Sequence, residues 1–258
     1  MRTVIKVGTS TLTYGNGNLN IRGIEQLCKV LSDLKNAGNE IILVSSGAIG
    51  MGVGKLGLKE RPNDIPTKQA AAAVGQCELM YVYDKLFSEY NHTVAQILMT
   101  GDDFSHSDRY ENFRNTLNRL ISLGVLPVVN ENDTVATSEI KVGDNDTLSA
   151  MTAVGASADL LILLSDIDGL YTADPKTDKN ATLIDEVATI DERIIALAGG
   201  SSSELGTGGM VTKIHAAQLC SQAGIDMIIA NGADATVLYD IFDGKAVGTR
   251  FRGRKNEC

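Results

Sequence analysis

Gly124-Val-Leu-Pro-Val-Val-Asn-Glu-Asn-Asp133 is the stretch from which the fold is read. From Val125 to Val129 the residues are apolar without alternation, and they run straight into the polar block Asn130-Glu131-Asn132-Asp133. A strand apolar on both sides must be covered on both faces, which is the condition of a parallel sheet between two helical layers. In such sheets ligands bind beyond the carboxyl ends of the strands, where this polar block stands. Upstream, Arg109 to Leu123 reads as a helix closed by Gly124.

The same unit repeats outward. Thr3 to Val7, Glu40 to Ser45, Thr93 to Met99, Leu160 to Ser165 and Ile225 to Ala230 are short β-rich apolar runs. Between them lie helical patterns. Ile24, Leu27, Cys28, Leu31 and Leu34 recur at helical spacing before Ala37-Gly38, and Met210 to Ala223 ends at Gly224. Lys68 to Tyr90 predicts a long helix whose small residues Ala70 to Val74 point to close packing against another helix or a subunit. The expectation is an α/β fold, a three-layer αβα sandwich with a largely parallel central sheet. Without a Pro-rich or Ser-rich linker, residues 1–258 read as one continuous fold in two lobes, about 1–165 and 166–258, hinged near Ser165 to Leu183.

The 258 residues are 43% hydrophobic and 21% charged, which excludes wholesale disorder and a membrane protein. A formal charge of −9, from 23 Lys plus Arg against 32 Asp plus Glu, disfavours nucleic acid and anionic lipid as partners. The four cysteines form no C-x-x-C pair, and the start Met-Arg-Thr-Val-Ile-Lys6 lacks an apolar leader, so a reduced, cytoplasmic protein is expected. An anionic ligand would then require cations and backbone N–H groups gathered locally.

Three places supply them: Lys6-Val-Gly8-Thr-Ser10, Ser45-Ser46-Gly47-Ala48, and Gly206-Thr207-Gly208-Gly209-Met210-Val211-Thr212-Lys213. Taken alone, Lys6 is more plainly a solvated edge lysine. Lys213 is less ordinary, because a cation in the first turn opposes the helix dipole and hints at a bound anion. Gly52-Val-Gly54-Lys-Leu-Gly57 matches G-x-G-x-x-G, but a Pro-containing polar loop follows where the dinucleotide fingerprint needs a strand and an acid. No Walker A motif is present. The block at Asn130 to Asp133 and a second, Asp144-Asn145-Asp146 opening a helix, resemble a grip on a polar ligand more than two turns. No EF-hand spacing occurs, and His92, His106 and His215 are unclustered, so neither a calcium loop nor a zinc motif is read, while magnesium held mainly by phosphates is compatible.

Seven blocks in order carry a resemblance over nearly the whole chain: Ile5 to Ser10, Ser45 to Ile49, Lys68-Gln69 with Ala73 to Gln76, Asn130 to Asp133, Lys141 to Asp146, Gly169 to Pro175, and Gly206 to Met210 with Lys213. The sequence resembles the amino acid kinase superfamily, and its Val142-Gly-Asp-Asn-Asp146 block resembles the glutamate-phosphorylating branch. The resemblance implies ATP-dependent phosphorylation of the γ-carboxylate of L-glutamate with Mg2+, the first step of proline biosynthesis. By position, Lys6 and Lys213 resemble the family's transition-state lysines and Asp146 the carboxylate orienting both. Ser46, Gly47, Ala48, Asn130, Asp133, Asp144 and Asn145 resemble the substrate-binding set. Lys6, Gly8, Ser165, Asp166 and Thr207, Gly208, Gly209, Met210, Val211, Thr212 and Lys213 resemble the nucleotide-binding segments. Family members usually carry Thr where Ser165 stands, and the hydroxyl is kept. Many continue into a C-terminal PUA domain, which a chain ending at Cys258 is read as lacking. The resemblance also implies a homo-oligomer, dimer or tetramer, and proline as a feedback inhibitor.

The chemistry fits these residues. A γ-carboxylate with a pKa of about 4.3 is already ionised at neutral pH, so no general base is required. The obstacle is one anion approaching another, which cations and N–H groups relieve. Asp133 beside an acidic substrate has a use only against the α-ammonium, and that contact would reject N-acetylglutamate. The alternatives are another carboxylate kinase, such as one for N-acetylglutamate, and a non-catalytic amino-acid sensor. An NAD-dependent oxidoreductase is a weaker third. Two lysines aimed at a phosphoryl group speak against a sensor.

Overall fold

The computed structural model of the chain describes residues 1–15, 18–136, 145–199 and 209–254. Its strands are β1 (Arg2–Val7), β2 (Glu40–Ser45), β3 (Val94–Met99), β4 (Leu126–Glu131), β5 (Leu160–Ser165), β6 (Glu186–Val187), β7 (Asp226–Asn231) and β8 (Thr249–Phe251). The helices are α1 (Thr9–Leu12), α2 (Ile21–Asn36), α3 (Ala48–Lys55), α4 (Ile65–Ser88), α5 (Gly101–Ser105), α6 (Ser107–Ser122), α7 (Asn145–Gly155), α8 (Glu192–Gly199), α9 (Met210–Gln222) and α10 (Val237–Phe242).

The strands form one sheet in the order β3-β4-β2-β1-β5-β7-β8-β6. All pairings are parallel except β7 with β8, so the largely parallel sheet read from the sequence is present. Alternate residues of each central strand enter opposite cores. Val4, Ile42, Val44, Leu161 and Leu163 pack with Phe113 and Leu117 of α6 and with α7 and α9. Ile5, Val7, Ile41, Leu43, Leu160, Ile162 and Leu164 pack with α2, with Leu79, Tyr83 and Phe87 of α4, and with α10. This is the expected αβα sandwich. Each fully buried Leu or Ile in these layers contributes about 1.5–3 kcal/mol.

Helix ends follow local chemistry. Gly38, Gly124 and Gly224 each take positive φ just beyond a helix, as their positions predict. The helix expected from Lys68 starts earlier, because Asp64 caps it by accepting from the Thr67 N–H and Pro66 lies in the first turn, where its missing N–H costs nothing. Pro127 is compatible with an interior strand because β4 pairs with β2 only from Val128 onward. No described helix is long and apolar enough to cross a membrane.

Candidate active site

β1 neighbours β2 on one side and β5 on the other, so successive crossovers diverge there and open a crevice at the strand carboxyl ends. Lys6 shares the β1 face of Val4, the face covered by α7 and α9. Its Nζ meets Asp146 Oδ1, in the first turn of α7, at 2.7 Å. Lys213 Nζ, from the first turn of α9, meets Asp146 Oδ2 at 3.0 Å, and Thr212 Oγ1 donates to the same oxygen at 3.0 Å. One strand and two helix N-termini, distant in sequence, thus converge on a single carboxylate. Asp146 is 0% exposed, Lys6 7% and Lys213 3%.

The three charges sum to +1 inside a protein of net charge −9. Burial by itself raises the Asp146 carboxyl, but the charges and hydrogen bonds of Lys6 and Lys213 outweigh it and hold the group below the ordinary aspartate range. A carboxylate so engaged is unsuited to take up a proton. It separates the two ammonium groups and fixes where each points.

A second cluster lies beside the first. Asn145 Nδ2 donates to Ser45 O at 2.9 Å, Ser46 Oγ at 2.8 Å and Asn130 Oδ1 at 3.1 Å. The turn after β2 is built for this approach. Gly47 has φ +96°, a left-handed conformation that favours glycine, and Ala48 opens α3 directly behind it. Asp133, just past β4, is half-buried, and burial pushes its carboxyl up against a weaker downward pull from Arg61. Arg61 lines a cleft of ≈ 690 Å³ together with Thr9, Ser10, Thr13, Gly50 and Lys59.

At the far side of β1, Ser165 and Asp166 line a cavity of ≈ 340 Å³ with Ser10, Asn231 and Gly232. The Ser165 hydroxyl donates to Asp166 Oδ1 at 3.2 Å. Gly8 sits near the end of β5, where a Cβ would lie 3.9 Å from Leu164 O. Gly209 caps α9 without a side-chain hydrogen bond, Met210 is half-buried and Val211 is 60% exposed. Asp144, Thr207 and Gly208 lie outside the described residues. Two contributors were given no role from the sequence: Gln76, which closes one of the blocks that carry the resemblance, and Tyr83. Gln76 accepts from Asn130 Nδ2 at 2.8 Å, and the Tyr83 hydroxyl is 2.9 Å from Ser45 Oγ. Both lie on the buried face of α4, seven residues apart.

Among the described residues, no group of three His, Cys, Asp or Glu side chains is arranged to hold a metal ion. Both Asp146 oxygens are engaged by ammonium groups, so this donor set fits a cation that arrives with phosphate ligands of its own.

The profile of the amino acid kinase family matches residues 1–231. A protein of Clostridium tetani named glutamate 5-kinase is 56% identical over 252 residues, covering 98% of this chain and 94% of the relative. Relatives of the same name from Listeria innocua and Clostridium perfringens are 54% and 50% identical over 260 residues, covering 99% of this chain and 94% and 97% of their own lengths. Among solved structures, UMP kinase from Bacillus anthracis superposes with a TM-score of 0.63 at 16% identity, over 98% of this chain and 96% of that one, a likeness of fold alone.

Proposed function

The chain belongs to the amino acid kinase family, and from that membership we infer that it transfers the γ-phosphoryl group of ATP to the γ-carboxylate of L-glutamate. The product is L-glutamyl 5-phosphate, and the reaction is the first step of proline biosynthesis. The observation that supports phosphoryl transfer is the buried Lys6, Asp146 and Lys213 triad; the choice of glutamate follows the relatives of that name.

In this reading glutamate lies over the ends of β2 and β4, within residues 1–165. Ser46, the Gly47 and Ala48 backbone, Asn130 and Asn145 face its carboxylates, and Asp133 takes its α-ammonium. ATP lies over the ends of β5 and β7, within residues 166–258 and Lys6 with Gly8. Ser165 and Asp166 meet the nucleoside side, and the segment from Thr207 to Lys213 meets the phosphates. Asp144 belongs to the acceptor side. Magnesium, held mainly by the phosphates, neutralises part of their charge when bound. The acceptor oxygen carries no proton to remove, so the chain's own work is to hold two anions in line and to place Lys6 and Lys213 against the charge that spreads over the transferred group. The reading extends to a homo-oligomer, to proline competing with glutamate, and to a reducing compartment, where the described cysteines Cys28, Cys77 and Cys220 are free thiols.

Incubating the chain with ATP, magnesium and hydroxylamine, with glutamate, N-acetylglutamate, aspartate, carbamate or UMP as acceptor, tests the proposal. A hydroxamate from glutamate alone is expected. Turnover of N-acetylglutamate instead identifies a different carboxylate kinase, and no product with any acceptor points to a sensor.

A further inference from the structure

Asn130 is held from behind by a residue that neither cluster above requires. Gln76, in the middle of α4, is 7% exposed and accepts at Oε1 a 2.8 Å hydrogen bond from Asn130 Nδ2. The polarity of this contact is forced. The Glu131 backbone N–H, which can only donate, reaches Asn130 Oδ1 at 2.9 Å, so the Asn130 amide turns its oxygen there and its NH2 toward Gln76. At the other end, the Ser45 backbone carbonyl can only accept, so Asn145 turns Nδ2 toward it and, with the same group, reaches Ser46 Oγ and Asn130 Oδ1. Gln76, Asn130, Asn145 and Ser46 therefore form one polarised file, from a helix of the outer layer to the ends of β4 and β2.

The opposite end of the Gln76 amide behaves differently. Nε2 is buried and has no hydrogen-bond partner among the described residues. An unpaired buried donor destabilises a fold, so the contribution of this side chain lies in its accepting oxygen. We propose that Gln76 is a positioning residue for the acceptor amino acid. It acts through Asn130, whose orientation it locks, and Asn130 in turn sets the direction of Asn145 and Ser46. The inference rests on the glutamate-binding reading given above.

Steady-state kinetics of the full chain, read by hydroxamate formation, test it with Gln76→Met, Asn130→Ala and the double variant. Gln76→Met is expected to raise the glutamate KM about tenfold, the effect of roughly one lost hydrogen bond, while the ATP KM stays within about twofold. It removes one orphan donor and creates another on Asn130, so the melting temperature stays within a few degrees. In the Asn130→Ala background Gln76→Met adds nothing further, because the two act in series. Gln76→Leu carries the same expectations and separates the lost bond from a packing fault of the longer side chain. Additive effects of the two substitutions, equal rises in both KM values, or an unchanged glutamate KM in folded variants overturn the positioning role and leave the kinase reading standing. A wild-type chain that yields no hydroxamate from glutamate overturns both.

Discussion

An aspartate gripped by two ammonium groups gains nothing from a proton, and this decides what Asp146 can do. Its partners take part in charge stabilisation, so Lys6→Met and Lys213→Met should each lower kcat by about 10²–10³, with a much smaller change in glutamate KM. Asp146→Asn should lose kcat to a similar degree. It also leaves two buried lysines without their shared counter-charge, and denaturant unfolding should record a loss of about 3–5 kcal/mol. Asp133 faces the opposite situation, since burial raises its pKa. A protonated Asp133 cannot hold an ammonium group, so the glutamate KM should begin to climb at a higher pH, on acidification, than for an ordinary aspartate. In Asp133→Ala that pH dependence flattens and the preference for glutamate over N-acetylglutamate falls. If the preference survives, Asp133 does not contact the α-ammonium.

Between residues and site stands the α3–α4 pair, which sets where the Ser46 turn lies. A Cβ on Gly75 would fall 1.7 Å from Ala48 O, and one on Gly52 would fall 1.8 Å from Ala71 O, so these helices touch backbone to backbone. Gly75→Ala must push α3 away. A loss of about 1–3 kcal/mol is expected, with a rise in glutamate KM larger than that for ATP because the N-terminus of α3 carries Ala48. Melting temperature together with the two KM values measures this. The same contact explains the glycine pattern that imitates a dinucleotide fingerprint, in which Gly52 serves helix packing. The small residues from Ala70 to Val74 announced a close neighbour, and Ala71 and Ala72 are buried in this packing. Which helix they meet was invisible, because α3 lies a loop away and its partner is chosen by the shape of both. The short elements β6, β8, α5, α8 and α10 were likewise unread, since two to eight residues hold too little periodicity to separate from a loop.

For the molecule as a whole, the triad ties stability to pH. The folded Asp146 has a pKa below its unfolded value of about 3.8, so its contribution is complete above that pH and disappears as pH falls through the folded value. The stability gap between wild type and Asp146→Asn should therefore be constant near neutrality and narrow below about pH 4, as thermal melts across pH would reveal. A gap independent of pH would mean that the Asp146 carboxyl has the same pKa folded and unfolded, and a gap that shrinks as pH rises above about 4 would mean that it stays protonated in the folded protein.

Apolar runs such as Val125 to Val129 and Leu160 to Leu164, alternating with helical patterns, determined from sequence that the chain builds a largely parallel sheet covered on both faces, because strands apolar on both sides need helices over each face and parallel neighbours need a crossover between them. Glycine and polar blocks at strand ends and helix starts likewise singled out the stretches that hold Lys6, Ser46, Asn130, Asp146 and Lys213, and the family resemblance gave those residues their roles. Only the tertiary structure decided that Lys6 and Lys213 share one carboxylate and that Gln76 orients Asn130. Those contacts join residues 140, 67 and 54 positions apart, and distances of that kind are set by how strands and helices stack, which no local pattern encodes.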